Sequence, residues 1–251
     1  MSASPDQRFV VCLPTYNERE NIERMIAAIE AARGRSPIPG DVLVIDDGSP
    51  DGTGAIADRL AAEHAWVHVL HRTAKEGLGR AYLAGFRWAL DRGYDYVLEM
   101  DCDFSHDPGR IPDLVEAARG GADLVLGSRY THGGGVRDWS LARRVISRGG
   151  CLYAQAFLQL GVHDLTGGFK CFRREVLEAI DLGDVTAEGY AFQIEMTYRA
   201  SLLGFRIQEV PITFTDRVAG GSKMSRRIVA EASWRVPSLR LRALRHELPR
   251  R

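Results

Sequence analysis

The chain has 251 residues, 45% of them hydrophobic and 26% charged, with 33 basic and 33 acidic side chains. That length suits one large domain or two small ones and a core that needs no disulfide. A net charge of zero excludes a bulk polyelectrolyte binder of the histone kind, yet the zero is an average. Residues 1–128 carry 13 basic and 21 acidic groups, and 129–148 carry 5 and 1. Residues 149–216 carry 5 and 9, and 217–251 carry 10 and 2. Two basic blocks therefore interrupt an acidic body, a pattern suited to an anionic partner or a membrane surface.

In chain order, Phe9–Leu13 is a short apolar run ending at Pro14, and Thr15 or Asn17 is placed to cap a following helix. Ile22, Met25, Ile26 and Ile29 recur at spacings of three and four, the inward stripe of that helix. Val42–Ile45 reads as a second buried strand, followed by a helix near 53–63 and a strand Val67–Leu70. A helix over Gly79–Leu90, a strand Tyr96–Met100, a helix near 110–119 and a strand Asp123–Leu126 complete a wound parallel pattern. Thr131–Ser140 is a Gly-rich loop and Leu141–Leu160 a helix carrying Arg143, Arg144 and Arg148. A strand Gly168–Phe172, helices Glu175–Ile180 and Phe192–Leu203, and a strand Arg206–Phe214 follow. Residues 224–248 read as a basic amphipathic helix kinked at Pro237.

Cys12, Cys102, Cys151 and Cys171 are widely spaced with no CxxC pair, so reduced thiols in a cytosolic protein are expected. The N-terminus shows no basic-then-apolar leader, and no stretch of 18 apolar residues occurs. Neither a secretory signal nor a membrane span is expected. The seven histidines form no metal-ligand set and read as surface or turn residues. The four tryptophans and the Tyr153/Phe157 pair read as filling core or lipid-facing grooves.

In wound parallel sheets ligands bind beyond the carboxyl ends of the strands. Glu18, the Asp46–Asp47 pair, and Asp101 with Asp103 all fall there. An Asp-x-Asp on such a loop offers two hard oxygen ligands to Mg2+ or Mn2+, with diphosphate oxygens completing the shell. Neither a GxGxxG nor a GxxxxGK[ST] phosphate loop is present. Gly77-Leu-Gly79 and Gly133-Gly-Gly135 read as turns.

Read together, Pro14-Thr-Tyr16-Asn-Glu18, Ile45-Asp46-Asp47-Gly-Ser-Pro-Asp51, Met-Asp101-Cys-Asp103-Phe-Ser105 and Gly-Ser-Arg129-Tyr130 resemble the family 2 glycosyltransferases. More narrowly they resemble the polyprenyl-phosphate (dolichyl-phosphate) mannosyltransferases, over about residues 9–227. The resemblance implies an α/β fold of GT-A type, a Rossmann-like and mainly parallel sheet flanked by helices. The catalytic domain is expected over 1–223, with a basic amphipathic helix in an extension over 224–251. It implies transfer of mannose from GDP-mannose to a polyprenyl (dolichyl-type) phosphate with inversion, dependent on Mg2+ or Mn2+.

By the same resemblance Pro14, Tyr16, Glu18, Ile45 and Asp47 line the guanosine pocket. Asp101, Cys102, Asp103 and Ser105 form the diphosphate-and-metal segment, with Asp101, Asp103 and Ser105 as metal ligands. Cys102 stands where Ala or Gly is usual, and Ser105 where some members have Gln. Arg129, Arg143 and Ser147 match residues that hold the lipid phosphate, and Asp101, Asp103 and Arg129 are the catalytic candidates. Arg217 and Lys223 match a loop gripping the donor diphosphate, with Gly220-Gly221 as its hinge. Gln193 and Glu195 are placed either toward the sugar or as buried polar residues.

The C-terminal helix fits two outcomes, lying on anionic lipid or packing on the body. The location expected is cytoplasmic, peripheral to the cytoplasmic face of the membrane, where firm anchoring calls for a partner protein. A glucosyl transferase and a non-catalytic nucleotide-sugar-binding regulator are the competing readings. No nucleic-acid partner is expected, since the basic tail is poor in aromatics and the pocket is acidic.

Overall fold

The apolar runs of the sequence become the strands of one seven-stranded sheet. The computed structural model describes residues 7–216 and 226–249, with backbone only over 226–233. In chain order the elements are β1 (Phe9–Thr15), α1 (Ile22–Arg33), β2 (Gly40–Asp46), α2 (Thr53–Glu63) and β3 (Val67–His71). Then come α3 (Leu78–Asp91), β4 (Tyr96–Glu99), a 3-10 turn (Pro108–Arg110), α4 (Ile111–Arg119) and β5 (Leu124–Ser128). The second half holds β6 (Gly135–Arg137), α5 (Leu141–Leu158), β7 (Lys170–Arg173), α6 (Arg174–Ala179) and α7 (Gly189–Leu202). It ends with β8 (Ile207–Pro211), β9 (Thr213–Thr215) and α8 (Arg226–Leu244).

The sheet order is β3-β2-β1-β4-β7-β5-β8. Every pairing is parallel except those of β7, which runs antiparallel to both β4 and β5. Strands covered by helices on both faces read as continuous apolar runs, because each alternate side chain enters a core. β1 divides in this way: Val10 and Cys12 enter one core, Phe9, Val11 and Leu13 the other. The first core lies under α3, α5, α7 and α8, and the second under α1, α2 and α4. All four cysteines are free and buried.

Several boundaries differ from the sequence expectation for local reasons. The first helix starts at Ile22, because Asn17 takes a left-handed φ of 58° and the chain turns before committing to helix. Asn21 precedes that helix without a side-chain cap, and its Nδ2 donates to Glu18 Oε2 at 2.8 Å. The expected strand over 206–214 divides in two, β8 pairing with β5 and β9 with β6 in a separate parallel ribbon. Ile212 makes the switch, its N–H donating to Ser128 O while its own carbonyl accepts from Gly135 N. The Gly-rich loop is thus part ribbon; a Cβ on Gly134 would lie 2.4 Å from Ser128 O, so that close approach requires glycine.

α7 is buried along nearly its whole length, Ala191 through Ala200. Its polar side chains survive there by pairing. Gln193 Nε2 donates to Glu99 Oε2 at 2.8 Å, and Arg199 is forked onto Glu195. Gln193 and Glu195 are therefore buried polar residues. α8 packs against α7 and α5, burying Val236, Leu239 and Ala243, and it runs through Pro237. Among the described residues no helix is long and apolar enough to cross a membrane.

Candidate active site

β1, β2 and β4 run parallel, so their carboxyl ends and the loops beyond them meet at one edge of the sheet. A cleft of about 210 Å³ opens there, lined by Pro14, Tyr16, Glu18, Asp47, Asp101, Cys102 and Asp103. Thr15, Lys75, Gly77, Leu78 and Ala81 complete the lining. Ile45 is not part of it: its side chain is buried in β2, with Cδ1 where a Cβ on Gly85 of α3 would sit. Asp46 also turns away, accepting from Thr15 Oγ1 and from the N–H and Oγ of Ser49 to close the strand-end turn.

The lining groups are held before any ligand arrives. Asp47 Oδ1 accepts from Arg72 Nη1 at 2.6 Å. Burial raises the Asp47 carboxyl above its ordinary pKa, against the opposing pull of Arg72. Lys75 Nζ sits 3.9 Å from the centre of the Tyr16 ring, a cation–π contact across the mouth of the cleft. Tyr82, fully buried on α3 and stacked against Phe192, donates its hydroxyl to Asp101 Oδ1 at 3.1 Å. Asp103 is 4% exposed, and its Oδ1 accepts from Ser105 N at 3.0 Å. Burial drives the Cys102 thiol well above its ordinary pKa, so it stays protonated.

The donor set fits a hard divalent cation. Asp101 and Asp103 supply carboxylate oxygens, and Ser105 Oγ is buried without a hydrogen-bond partner among the described residues. Ser105 is 1% exposed and is not among the residues that line the cleft. Among the described residues no group of three or more His, Cys, Asp or Glu side chains is arranged to hold a metal. Two carboxylates and a hydroxyl suit a cation that completes its shell with phosphate oxygens and water.

Beside the acidic cleft lies a cluster of basic and hydroxyl side chains, joined to it through rings. Asp101 N donates to His106 Nδ1 at 3.3 Å, and the His106 ring meets Phe214 edge-on at 5.2 Å. Phe214 meets Trp139 at 5.3 Å, and the Arg143 guanidinium lies 4.1 Å over Trp139. Arg143 Nη1 also pairs with Asp216 at 2.6 Å. Ser147 Oγ accepts from the Tyr130 hydroxyl at 2.6 Å, and Arg148 lies over the Tyr130 ring. His106, expected as a surface or turn residue, lies in the bend after β4 and is 1% exposed, and burial holds its pKa below the ordinary value.

Arg129 takes a different partner from the expected phosphate. Its Nε and Nη2 donate to the two carboxylate oxygens of Asp164 at 2.7 and 2.6 Å, and Nη2 also donates to Thr166 Oγ1. The pair is buried, and the Arg129 fork outweighs burial to hold the Asp164 carboxyl below its ordinary pKa. Arg129 therefore clamps the end of β5 to the 164–166 turn. Arg217 and Lys223 lie outside the described residues.

Sequence reasoning missed Tyr82, Lys75 and the Gly77–Leu78 segment. Gly77 has φ 115°, and a Cβ there would meet the Glu188 carboxylate, whose Oε2 accepts from Gly79 N at 2.9 Å. The helix entrance thus forms a wall of the cleft instead of a free turn. Its only signal in the sequence is a pair of glycines directly ahead of the amphipathic α3.

Comparison with known proteins bears on the whole chain. The profile described as Glycosyl transferase family 2 matches residues 10–181. The polyprenol monophosphomannose synthase of Mycolicibacterium smegmatis is 52% identical over 233 residues, 92% of this chain and 86% of that protein. The undecaprenyl-phosphate mannosyltransferase of Micrococcus luteus is 51% identical over 226 residues, 90% of each. Among solved structures, glucosyl-3-phosphoglycerate synthase from Mycobacterium tuberculosis, in complex with Mn2+, UDP and glucosyl-3-phosphoglycerate, superposes with a TM-score of 0.64. That match has 22% identity and covers 97% of this chain and 81% of the other, so it speaks to the fold, which is the GT-A type expected. With its wound sheet, its strand-end carboxylates and relatives that match most of its length, the chain belongs to glycosyl transferase family 2.

Proposed function

We propose that the protein transfers mannose from GDP-mannose to a polyprenyl phosphate, releasing GDP. The observation that carries this reading is the junction of an acidic cleft with an arginine-and-serine cluster, linked through His106, Phe214 and Trp139. The mannosyl group and the lipid phosphate are supported by the names of the relatives at 51–52% identity. GDP as the carrier follows from the likeness of the Pro14-to-Asp47 segments to the mannosyltransferases.

Each residue then has a task. Tyr16, Glu18 and Asp47 take the nucleoside, with Arg72 and Lys75 setting the charge around it. Asp101, Asp103 and Ser105 would hold Mg2+ or Mn2+, which supplies Lewis-acid neutralisation of the departing diphosphate. Arg217 and Lys223 are assigned to the same diphosphate. Arg143 and Ser147 hold the acceptor phosphate, since a guanidinium presents a rigid fork to phosphate oxygens. Arg129 positions that edge of the site through Asp164. A phosphate monoester loses its second proton near pH 6, so at about pH 7 the acceptor is already an ionised nucleophile and no general base is required. Attack from the face opposite the diphosphate inverts the anomeric centre.

In this reading residues 1–223 are the catalytic domain and 224–251 a basic extension, and the enzyme works peripherally on the cytoplasmic face of a membrane. The test is incubation with labelled GDP-mannose, UDP-glucose or UDP-N-acetylglucosamine together with polyprenyl phosphate and Mg2+. Organic-extractable label from GDP-mannose is expected. Label from UDP-glucose alone would overturn the mannosyl assignment, and none from any donor would leave a nucleotide-sugar-binding regulator.

A further inference from the structure

A buried donor needs an acceptor, because the hydrogen bond it gave to water is otherwise lost on folding. The indole of Trp139 breaks that rule. Trp139 is 7% exposed, and its Nε1 is buried with no hydrogen-bond partner among the described residues. An arginine with one idle nitrogen keeps others engaged, as Arg199 does on Glu195, whereas an indole has a single polar atom. Nothing else on the side chain offsets the loss. The ring is also held in place: Phe214 of β9 meets it edge-on at 5.3 Å, and the Arg143 guanidinium lies over it at 4.1 Å.

The charge around this ring points to an anion. Trp139 and Ser140 lead directly into α5, and Ser140 Oγ accepts from Arg143 N as the cap of that helix. A helix start carries partial positive charge, and cations are disfavoured there. The first turn of α5 nevertheless holds no acid and has Arg143, with Arg144 next. The buried Arg129 guanidinium lies 5.5 Å from the same ring. Arg129 is matched by Asp164, and Arg143 gives one nitrogen to the half-exposed Asp216. Ser147, one turn on from Arg143, accepts from the Tyr130 hydroxyl, which leaves its own proton to give. A guanidinium, a hydroxyl and an idle indole N–H thus collect at one helix start.

We infer that the Trp139 indole N–H donates to the phosphate monoester of the acceptor, beside Arg143 and Ser147. The inference rests on the lipid-phosphate reading for the identity of the anion. A monoester has three terminal oxygens, and one must stay free to attack the sugar. The indole suits one of the others. It is neutral and donates without titrating, so it orients the phosphate and leaves it the negative charge that makes it a nucleophile. The donor is desolvated and fixed by Phe214 and Arg143 before the anion arrives, so little ordering is left to the binding step. The contacts that fix the ring run on through His106 to Asp101 N, at the edge of the donor cleft.

The experiment replaces Trp139 in the full chain by 3-benzothienylalanine, which keeps the double ring and puts sulfur where the N–H was. In transfer from GDP-mannose to polyprenyl phosphate, the KM for the acceptor is expected to rise on the order of tenfold, the size of one bond to a charged group. The KM for GDP-mannose and the melting temperature should not move. Binding of geranyl phosphate and of inorganic phosphate, followed by phosphorus NMR, should weaken by the same factor, and Trp139→Phe should be at least as impaired. An unchanged acceptor KM would overturn the inference. So would equal rises in both KM values, or impairment in Trp139→Phe alone, since the ring and not its N–H would then be what matters. Weaker binding of inorganic phosphate with geranyl phosphate unaffected would assign the donor to a free anion and remove it from the acceptor. If the wild type transfers no sugar while both phosphates bind the sulfur variant more weakly, the catalytic reading falls and the anion site stands.

Discussion

The strand-end cleft and α5, to which the proposed function gives the donor and the acceptor, are built from opposite materials. The cleft grows from the ends of three buried strands, and its carboxylates are fixed by Arg72, Tyr82 and the Ser105 amide before any ligand arrives. Such a site suits a highly charged, water-soluble ligand, whose binding is improved when the groups that meet it are already ordered. α5 buries only Cys151, Ala154 and Leu158, leaves Leu141, Val145 and Leu152 exposed, and has arginines resting on the Trp139 and Tyr130 rings. It suits a ligand that is mostly hydrocarbon with one ionised end.

Substitutions should separate the two sides. Asp103→Ala is expected to lower kcat on the order of 10³-fold at saturating Mg2+ or Mn2+, in line with losing a principal stabiliser of developing charge. An unchanged turnover would remove Asp103 from the cation site. Arg143→Ala should cost about 10- to 100-fold in kcat/KM for the lipid acceptor while leaving the KM for the nucleotide sugar alone, the size of a lost charged hydrogen bond. Equal effects on both substrates would dissolve the division proposed here. Tyr82→Phe deletes only a hydroxyl; about tenfold weaker Mn2+ binding, measured calorimetrically with GDP present, is expected from losing one bond to a carboxylate. No change would show that Asp101 is oriented by other partners.

The smallest effect lies beneath both sides and is read in stability. Glu99 is buried against Lys170, whose Nζ donates to Gln193 O and Thr197 Oγ1. Burial pushes the Glu99 carboxyl up from 4.5 to about 7, with Lys170 and Gln193 opposing. The folded protein thus holds a proton that the unfolded chain has released. The stability this carboxyl contributes is whole below about pH 4.5 and drains away as pH rises through about 7. Glu99→Gln should remove that loss, so the urea midpoint of the variant relative to wild type should climb between pH 4.5 and 7. A constant difference across that window would show Glu99 to be ionised throughout.

Much of the donor side was legible from sequence because its residues follow strands in short, ordered motifs. Seven of the expected lining residues, from Pro14 to Asp103, do line one cleft. Ile45 was misplaced because motif position says nothing of which way a strand side chain points, and the pleat sends it into the core. Tyr82 and Lys75 were missed for another reason: they come from α3 and the segment ahead of it, and only tertiary packing brings them to Asp101 and Tyr16. Arg129 shows the same limit, since its partner Asp164 is 35 positions away.

The placement of β7 has a consequence for how such a chain is made. β4 and β5 follow one another in sequence, yet β7 stands between them, and β8 is the other neighbour of β5. A ribosome therefore releases β5 well before either of its partners exists, and β4 keeps a bare edge for the same interval. Unpaired strand edges template association between chains. Until Lys170–Arg173 emerges the nascent protein is at its most vulnerable to aggregation, and a chain cut short before that strand would retain both open edges for good.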